Sequence, residues 1–368
     1  MRDNCFTFLR YVFALGIFCN HLCITQGEDI FLCNSAIFVA GFFAMSGFLN
    51  FNSYQNLPDV KRFVLKRIQR IYPPYAIAVF GAFIASLFLT VLPLETFLKQ
   101  SETWSYLWAN LLFLNFLQPT LPGMFEENVM PFINSSLWTM KIEVLFYISL
   151  PMVHWVMKRW GTNRTLLSII LLSLSYYYAT LFAYLYTENP LFSTLNYQFP
   201  GELCFFYIPV LMLNNWTWVK KHLNALLGTS AALLLLYCAD WHFQFLLPLS
   251  LPVLVITFGY GCKWLLRTAV WKDFSYEFYL FHFPLLQILF MAKGTGLPTV
   301  SAFFVILPVI FIIAIAVHYL CRYVLKISFQ LFLVDFGVDL GARPQGHSEL
   351  WPKGLSPKMP KSNKNNGR

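Results

Sequence analysis

Arg10 and His21 stand eleven residues apart within the first long apolar segment of the chain. Eleven residues of α-helix complete about three turns, so both side chains lie on nearly the same face, about 16 Å apart along the axis. Ionisable groups inside an apolar span are costly unless they face protein or water, so the pair is a functional hypothesis by default. The structural alternative is an arginine that reaches the membrane interface and a histidine hydrogen-bonded in the core.

Glu143 is the carboxylate that we expect beside His21. It lies about six residues into the apolar segment that begins near Leu137, and the expected topology brings it to a depth similar to that of His21. A carboxylate fixes the tautomer of an imidazole and stabilises the imidazolium, which makes His21 a general base for an attacking hydroxyl. A structural hydrogen bond between two helices explains the same residues equally well.

A basic stretch, KRFVLKRIQR at 61–70, precedes the third apolar segment. On a helix, Arg67 and Arg70 lie at i and i+3 and can grip one anionic group together, such as the phosphate of a cofactor. For the other basic residues of the stretch, an anchor to lipid phosphates is the expected role. The Tyr-Pro-Pro sequence that follows is expected to start the third span, because proline is tolerated in the first turn of a helix.

The composition indicates an integral membrane protein. Hydrophobic residues make up 58% of the 368 positions and charged residues 12%, whereas about 25% of a typical soluble domain is charged. Apolar runs of this length each cross a hydrocarbon core of about 30 Å as a helix, so the predicted fold class is an all-α membrane protein. The ten expected spans are 6–24, 30–50, 72–93, 137–157, 166–187, 199–215, 223–239, 243–262, 277–293 and 300–321.

The distribution of Lys and Arg predicts the topology. If the short apolar stretch 104–117 does not cross, 21 basic residues fall on one side, against Lys99 and Lys293 in or beside the opposite loops. Counting that stretch as a crossing would place the 61–70 cluster opposite the later ones. We therefore expect ten spans, both termini in the cytoplasm, and a re-entrant or interfacial segment at 104–117. The net charge of +9 then reflects topology, and no nucleic acid partner is expected.

One transmembrane domain is expected over 1–321, followed by a basic, disordered tail at 322–368 that is rich in Pro, Lys and Asn. The eight cysteines lie mostly in apolar runs without the spacing of a disulfide framework or a metal site, and they are expected to pack. No internal repeat is visible, so an inverted-repeat transporter receives no support.

Four further features complete the set of candidates. Trp138 is expected to stack against an acceptor, and Glu202 is either interfacial or part of an acceptor site. His282 is either functional or a satisfied core histidine, and the nearby Pro284 frees a backbone carbonyl. Small residues in the motif FFAMSGF at 42–48 permit close helix packing.

The order and spacing of five motifs resemble acyltransferase family 3, membrane-bound O-acyltransferases that acylate extracytoplasmic saccharides in bacteria and typically have ten transmembrane helices. The first motif is the spacing of Arg10 and His21, and the others lie at 42–48, 67–73, 136–147 and 274–284. The resemblance covers nearly the whole chain. Some members carry an added hydrolase-like domain, and this chain resembles the stand-alone form.

The resemblance implies acyl-CoA, commonly acetyl-CoA, as a cytoplasmic donor, and a saccharide or glycolipid hydroxyl as the acceptor at the outer face. It implies the bacterial inner membrane as the location, with the lipid bilayer as surroundings and no metal. It assigns Arg10 and His21 as the essential pair and Arg67 with Arg70 as the arginine motif. We add His282 to Trp138 as a candidate for substrate binding.

These expectations join into one mechanistic hypothesis. The arginines hold the CoA phosphates, the pantetheine arm runs along the first helix, and His21, oriented by Glu143, deprotonates the acceptor hydroxyl. A covalent acyl-histidine is a variant. The first alternative is a proton-coupled transporter or flippase, which would consume no thioester. The second is the same fold with a succinyl or other acyl donor, or with an amine acceptor. The third is a structural membrane subunit.

Overall fold

The computed structural model describes residues 4–28, 35–291 and 298–325. Within these ranges the secondary structure is helical, with no strand, as predicted. Cys33, Lys293 and the tail beyond residue 325 lie outside the described residues. The helices are α1 (Phe6–Gln26), α2 (Ser35–Asn56), α3 (Val60–Leu89), α4 (Leu94–Lys99), α5 (Ser101–Leu111), α6 (Trp138–Trp160), α7 (Thr162–Thr187), α8 (Pro190–Asn196), α9 (Phe199–Asn214), α10 (Trp216–Lys221), α11 (Leu223–Ala239), α12 (Leu247–Gly261), α13 (Ser275–Phe290) and α14 (Thr299–Tyr319).

Multi-pass membrane character follows from the length and apolarity of these helices. Three of the ten predicted spans form helices too short to be counted as spans by length: α9, α11 and α13, with 16, 17 and 16 residues. The helix α9 is apolar and buried along most of its length, which is typical of a helix enclosed by other helices. Ten crossings therefore stay a prediction. Among the described residues, seven helical segments are long and apolar enough to span: Phe6–Gln26, Ser35–Asn56, Val60–Leu89, Ser135–Trp160, Thr162–Thr187, His242–Gly261 and Thr299–Tyr323.

The third span begins earlier than predicted. The side chain of Asp59 accepts a hydrogen bond from the Arg62 backbone N–H at 3.0 Å, which caps the helix and lets it start at Val60. Pro73 and Pro74 consequently lie in the interior of α3, so the expectation that they occupy the first turn of this helix is wrong. The basic stretch and the span form one continuous helix.

The segment after α3 enters the bundle and returns. α5 has 11 residues, about 16 Å of helix, roughly half of a hydrocarbon core of about 30 Å. Its far end reaches the middle of α3, where the Tyr75 hydroxyl donates to the Asn110 carbonyl at 2.6 Å. The chain then returns to the end of α3, where the Val91 N–H donates to the Gly123 carbonyl at 3.1 Å. This geometry supports a re-entrant segment.

The returning loop is fixed across α13. Gln287 donates to the Met130 carbonyl at 2.5 Å, and the side-chain amide of Asn134 donates to the Leu280 carbonyl at 2.9 Å. The Leu280 carbonyl is the group that Pro284 leaves without its usual helical partner. Asn134 therefore satisfies the carbonyl that the sequence predicts to be free.

Close packing of α2 against α9 depends on the 42–48 motif. A Cβ atom at Gly47 would lie 2.0 Å from the Phe206 carbonyl oxygen. Only glycine permits this approach of the two backbones, which confirms the predicted packing role of the motif. Seven described cysteines are free thiols, and Cys5, Cys23 and Cys204 are buried in the packed interior.

The helices α1 and α13 pack side by side, with α14 against both. They run in the same direction, because the start of α13 meets the first turns of α1 and the middle of α13 meets the second half of α1. We name the end of the bundle where α1 begins the first face, and the end where α1 finishes the second face.

Candidate active site

Two histidines meet between α1 and α13. His21 Nδ1 lies 2.8 Å from His282 Nε2, and the two rings stack with centroids 5.1 Å apart. Both side chains are buried. Phe283 touches His21 edge-on at 5.0 Å, and Phe18 packs against His282 at 6.3 Å. The pair is thus enclosed by aromatic rings.

The predicted pairing of His21 with Glu143 is wrong. The Glu143 carboxylate accepts hydrogen bonds from Ser46 at 2.6 Å and from the Tyr147 hydroxyl. The reason is geometric: similar depth in a membrane does not specify which helix is the neighbour. α6 packs against α2 and α3, and this turns Glu143 toward those helices. Glu143 therefore does not orient His21.

The surroundings of His282 indicate how protons are arranged in the pair. His282 Nδ1 is buried and meets no partner of good geometry, but the carbonyl groups of Phe278 and Tyr279 on its own helix lie next to the ring. A carbonyl can only accept, so these groups favour a proton on His282 Nδ1. In that tautomer, Nε2 of His282 accepts a hydrogen bond from His21 Nδ1–H. This arrangement leaves the lone pair of His21 on Nε2.

A cavity of about 330 Å³ lies between α1, α2, α3, α6 and α13. Three arginines, Arg10, Arg67 and Arg70, line it together with Glu143, so positive charge is in excess. Most of the remaining lining is apolar or aromatic. The expectation that Arg67 and Arg70 face one site agrees with this geometry, which suits a ligand with an anionic end and an uncharged body.

Arg67 has unused hydrogen-bonding capacity in this cavity. Its guanidinium lies over the ring of Phe63 at 5.2 Å and over that of Tyr147 at 5.9 Å. Its Nε is buried and has no hydrogen-bond partner among the described residues. The guanidinium lines the cavity without a salt-bridge partner among the described residues, and an anionic ligand such as a phosphate would supply one.

Asp273 joins two of the arginines, and sequence reasoning missed it. Its Oδ2 lies 2.7 Å from Arg10 Nη1 and 3.7 Å from Arg70 Nη2, and its Oδ1 accepts from Ser275 Oγ at 2.5 Å. Burial raises the pKa of Asp273, but the Arg10 guanidinium, the hydrogen bonds from Ser275 and the Arg70 charge together outweigh it and hold this pKa below its usual range. One signal was visible in the sequence, because Asp273 is the sole carboxylate in the basic segment 262–274.

Tyr279 and Phe42 separate the cavity from the histidines. Both line the cavity, whereas His21 does not. Their rings lie 6.2 Å apart, and the Tyr279 ring lies 5.8 Å from that of His282. The Tyr279 hydroxyl donates to the Ser136 carbonyl at 2.8 Å. One layer of aromatic side chains therefore stands between the arginines and the histidine pair.

Trp138 and Glu202 lie away from this cavity. Trp138 starts α6 and packs against Tyr197 at 6.2 Å, and a role in acceptor binding stays a prediction. Glu202 is buried in the first turn of α9. A role of His282 in substrate binding is likewise untested, and its neighbour is His21.

Comparison with known proteins identifies the family. No curated protein and no solved structure matches this chain significantly. The profile of a family described as an acyltransferase domain matches residues 3–319. The match extends from the start of the chain to the end of α14 and includes all five motifs, the arginine-lined cavity and the histidine pair. The chain belongs to acyltransferase family 3.

Proposed function

We propose that this protein transfers an acetyl group from acetyl-CoA to a hydroxyl of a saccharide or glycolipid on the opposite side of the membrane. Family membership supports acyl transfer in general. The observation that carries the finer proposal is the order of groups across the bundle. An arginine-lined cavity lies near the first face, and the imidazole pair lies farther toward the second face, with Arg10 and His21 about 16 Å apart along α1.

The donor binds through Arg67 and Arg70. Both line the cavity, and the Arg67 guanidinium, which has no salt-bridge partner among the described residues, is suited to a phosphate of CoA. The uncharged pantetheine arm then lies in the apolar part of the cavity and points along α1 toward the second face. Movement of Tyr279 or Phe42 is needed before the thioester reaches His21.

The chemistry is a direct transfer with His21 as general base. His21 Nε2 takes the proton of the acceptor hydroxyl as its oxygen attacks the thioester carbonyl. The carbon–sulfur bond breaks, and the departing CoA sulfur takes the proton back from His21. His282 Nε2 accepts a hydrogen bond from His21 Nδ1–H throughout, which holds the tautomer and stabilises the imidazolium. Atoms and charges balance without a metal or a redox partner.

The topology that fits this reaction has the first face in the cytoplasm. We propose ten crossings, in which the short helices α9, α11 and α13 also span, with both termini cytoplasmic, in a bacterial inner membrane. The basic clusters support this orientation through the positive-inside rule. The short helices pack among longer ones, and this removes the need for each to match the bilayer alone.

The test measures release of free CoA thiol from acetyl-CoA by membranes that contain the protein and envelope saccharide. We expect release with the wild type and with His154→Gln. His154 lies on α6 and packs against Tyr54 of α2, apart from the histidine pair. His21→Gln should lose it. Equal release with His21→Gln would remove His21 from the chemistry. Substrate movement across the membrane without release of CoA thiol would show that the protein is a transporter and not an acyltransferase.

A further inference from the structure

We propose that Arg10 serves this reaction as a positioning residue: through Asp273 it holds α13 against α1 and so keeps His282 in register with His21. The inference rests on the proposed function and deepens it. It gives Arg10 a role different from the donor-binding role of Arg67 and Arg70, although all three arginines line the same cavity.

The segment before α13 is attached to α1 by two consecutive residues. Arg10 pairs with Asp273 at 2.7 Å. The hydroxyl of Tyr11 donates to the Lys272 carbonyl at 2.7 Å and accepts from the Phe274 N–H at 3.1 Å. Residues 272–274 are therefore gripped on both sides of Asp273, directly before α13 begins.

The histidine pair is the second attachment between the same two helices. Arg10 and His21 are about 16 Å apart on α1. Asp273 lies two residues before α13, and His282 lies about 10 Å of helix beyond the first residue of α13. Both contacts are present with the two parallel helices side by side. A shift of α13 that breaks the Arg10 contact also moves His282 relative to His21.

Arg10 differs from the other two arginines in how its charge is balanced. Its guanidinium is already neutralised by a carboxylate at 2.7 Å, and the two side chains are only 17% and 24% exposed. Arg70 is 54% exposed and lies 3.7 Å from the same carboxylate, while Arg67 keeps an unpartnered N–H. Arg67 and Arg70 thus retain charge to bind an anion, whereas the charge of Arg10 is balanced by Asp273.

The role predicts a kinetic signature. Loss of the Arg10–Asp273 contact misaligns the histidines without removing a donor ligand, so kcat falls while the KM for acetyl-CoA stays within about twofold. A displacement of about 1 Å at reacting groups costs on the order of 100-fold in rate. Loss of a donor-binding arginine has the opposite signature, a raised KM.

A double-mutant cycle tests the proposal on the full chain. We expect Arg10→Gln, Asp273→Asn and the double variant to share nearly the same loss of kcat, about 10- to 100-fold, because each breaks the Arg10–Asp273 ion pair. Arg70→Gln is the matched comparison and should raise the KM. A wild-type kcat in Asp273→Asn, additive losses in the double variant, or a raised KM in Arg10→Gln would overturn the proposal.

Tyr11→Phe keeps the test decisive if a charge variant fails to fold. Tyr11 does not line the cavity, and the substitution removes one hydroxyl that holds residues 272–274. We expect a smaller fall in kcat, about three- to tenfold for two neutral hydrogen bonds, with KM unchanged. A Tyr11→Phe enzyme with wild-type kcat would count against the attachment of this segment to α1 as a determinant of rate.

A spectroscopic measurement separates this inference from the proposed function. In protein with ¹⁵N-labelled histidine, His21 Nδ1–H should give a hydrogen-bonded imidazole resonance that is lost in His282→Leu. We expect Asp273→Asn and Arg10→Gln to weaken or shift it. If the wild type transfers no acetyl group, the proposed function is refuted, but the resonance still tests whether Arg10 and Asp273 position His282 beside His21. An unchanged resonance in both charge variants would refute it.

Discussion

His282→Leu removes the hydrogen-bond acceptor of His21 while keeping an apolar side chain of similar bulk in the buried site. His282 Nε2 is 2.8 Å from His21 Nδ1. A hydrogen bond contributes about 0.5–1.5 kcal/mol between neutral groups and about 1.5–3 kcal/mol when one group is charged. His21 is neutral before proton transfer and charged in the transition state, so the bond strengthens during the reaction.

Only the strengthening accelerates the chemical step, because an interaction equal in both states leaves kcat unchanged. The difference is about 1–2 kcal/mol, which corresponds to about a 5- to 30-fold lower kcat in His282→Leu. Loss of ring orientation adds to this value. The KM for acetyl-CoA should not change, because His282 does not line the arginine cavity.

The assay is the steady-state rate of labelled acetyl transfer, with His282→Gln as a matched variant. The Gln side-chain oxygen reaches a position similar to that of imidazole Nε2, so this variant should recover part of the lost kcat. His154→Leu controls for loss of an unrelated histidine. A kcat within twofold of the wild type in His282→Leu would refute the argument that His282 stabilises charge on His21.

Three further substitutions have expected outcomes. Gly47→Ala places a Cβ against the Phe206 carbonyl, and overpacking of about 1–3 kcal/mol should lower the unfolding temperature in detergent; unchanged melting would contradict this packing. Arg67→Gln removes a buried charged donor worth about 1.5–3 kcal/mol, so the KM for acetyl-CoA should rise about 10- to 150-fold with kcat nearly unchanged, and an unchanged KM would move donor binding elsewhere. Glu143→Gln keeps an acceptor for its two hydroxyl partners, so kcat should fall less than about tenfold, and a loss as large as that of His21→Gln would restore the discarded pairing.

Properties that one helix determines could be predicted from the sequence. Helical periodicity places Arg10 and His21 on one face of α1, and they meet the segment directly before α13 and α13 itself. The carbonyl freed by Pro284 follows from proline chemistry, and the small residues at 42–48 pack as expected. These inferences use local geometry, which the residues of a single element fix.

Properties that depend on helix adjacency could not be predicted. Two residues at similar depth are neighbours only if their helices touch, and periodicity does not report which helices touch. Glu143 was therefore placed beside His21, although α6 faces α2 and α3. Asp273 was missed because its importance depends on its contact with Arg10, 263 positions away in the sequence. The start of α3 was misplaced because the cap at Asp59 outweighs the prolines as a boundary.

The most direct test of the account follows radiolabelled acetyl from acetyl-CoA into envelope saccharide, with membranes that contain equal amounts of wild type or His21→Gln. We predict label in saccharide with the wild type and a loss of at least about 100-fold with the variant, as expected for removal of a general base. Equal labelling of saccharide by the two proteins would contradict the assignment of His21 as the base.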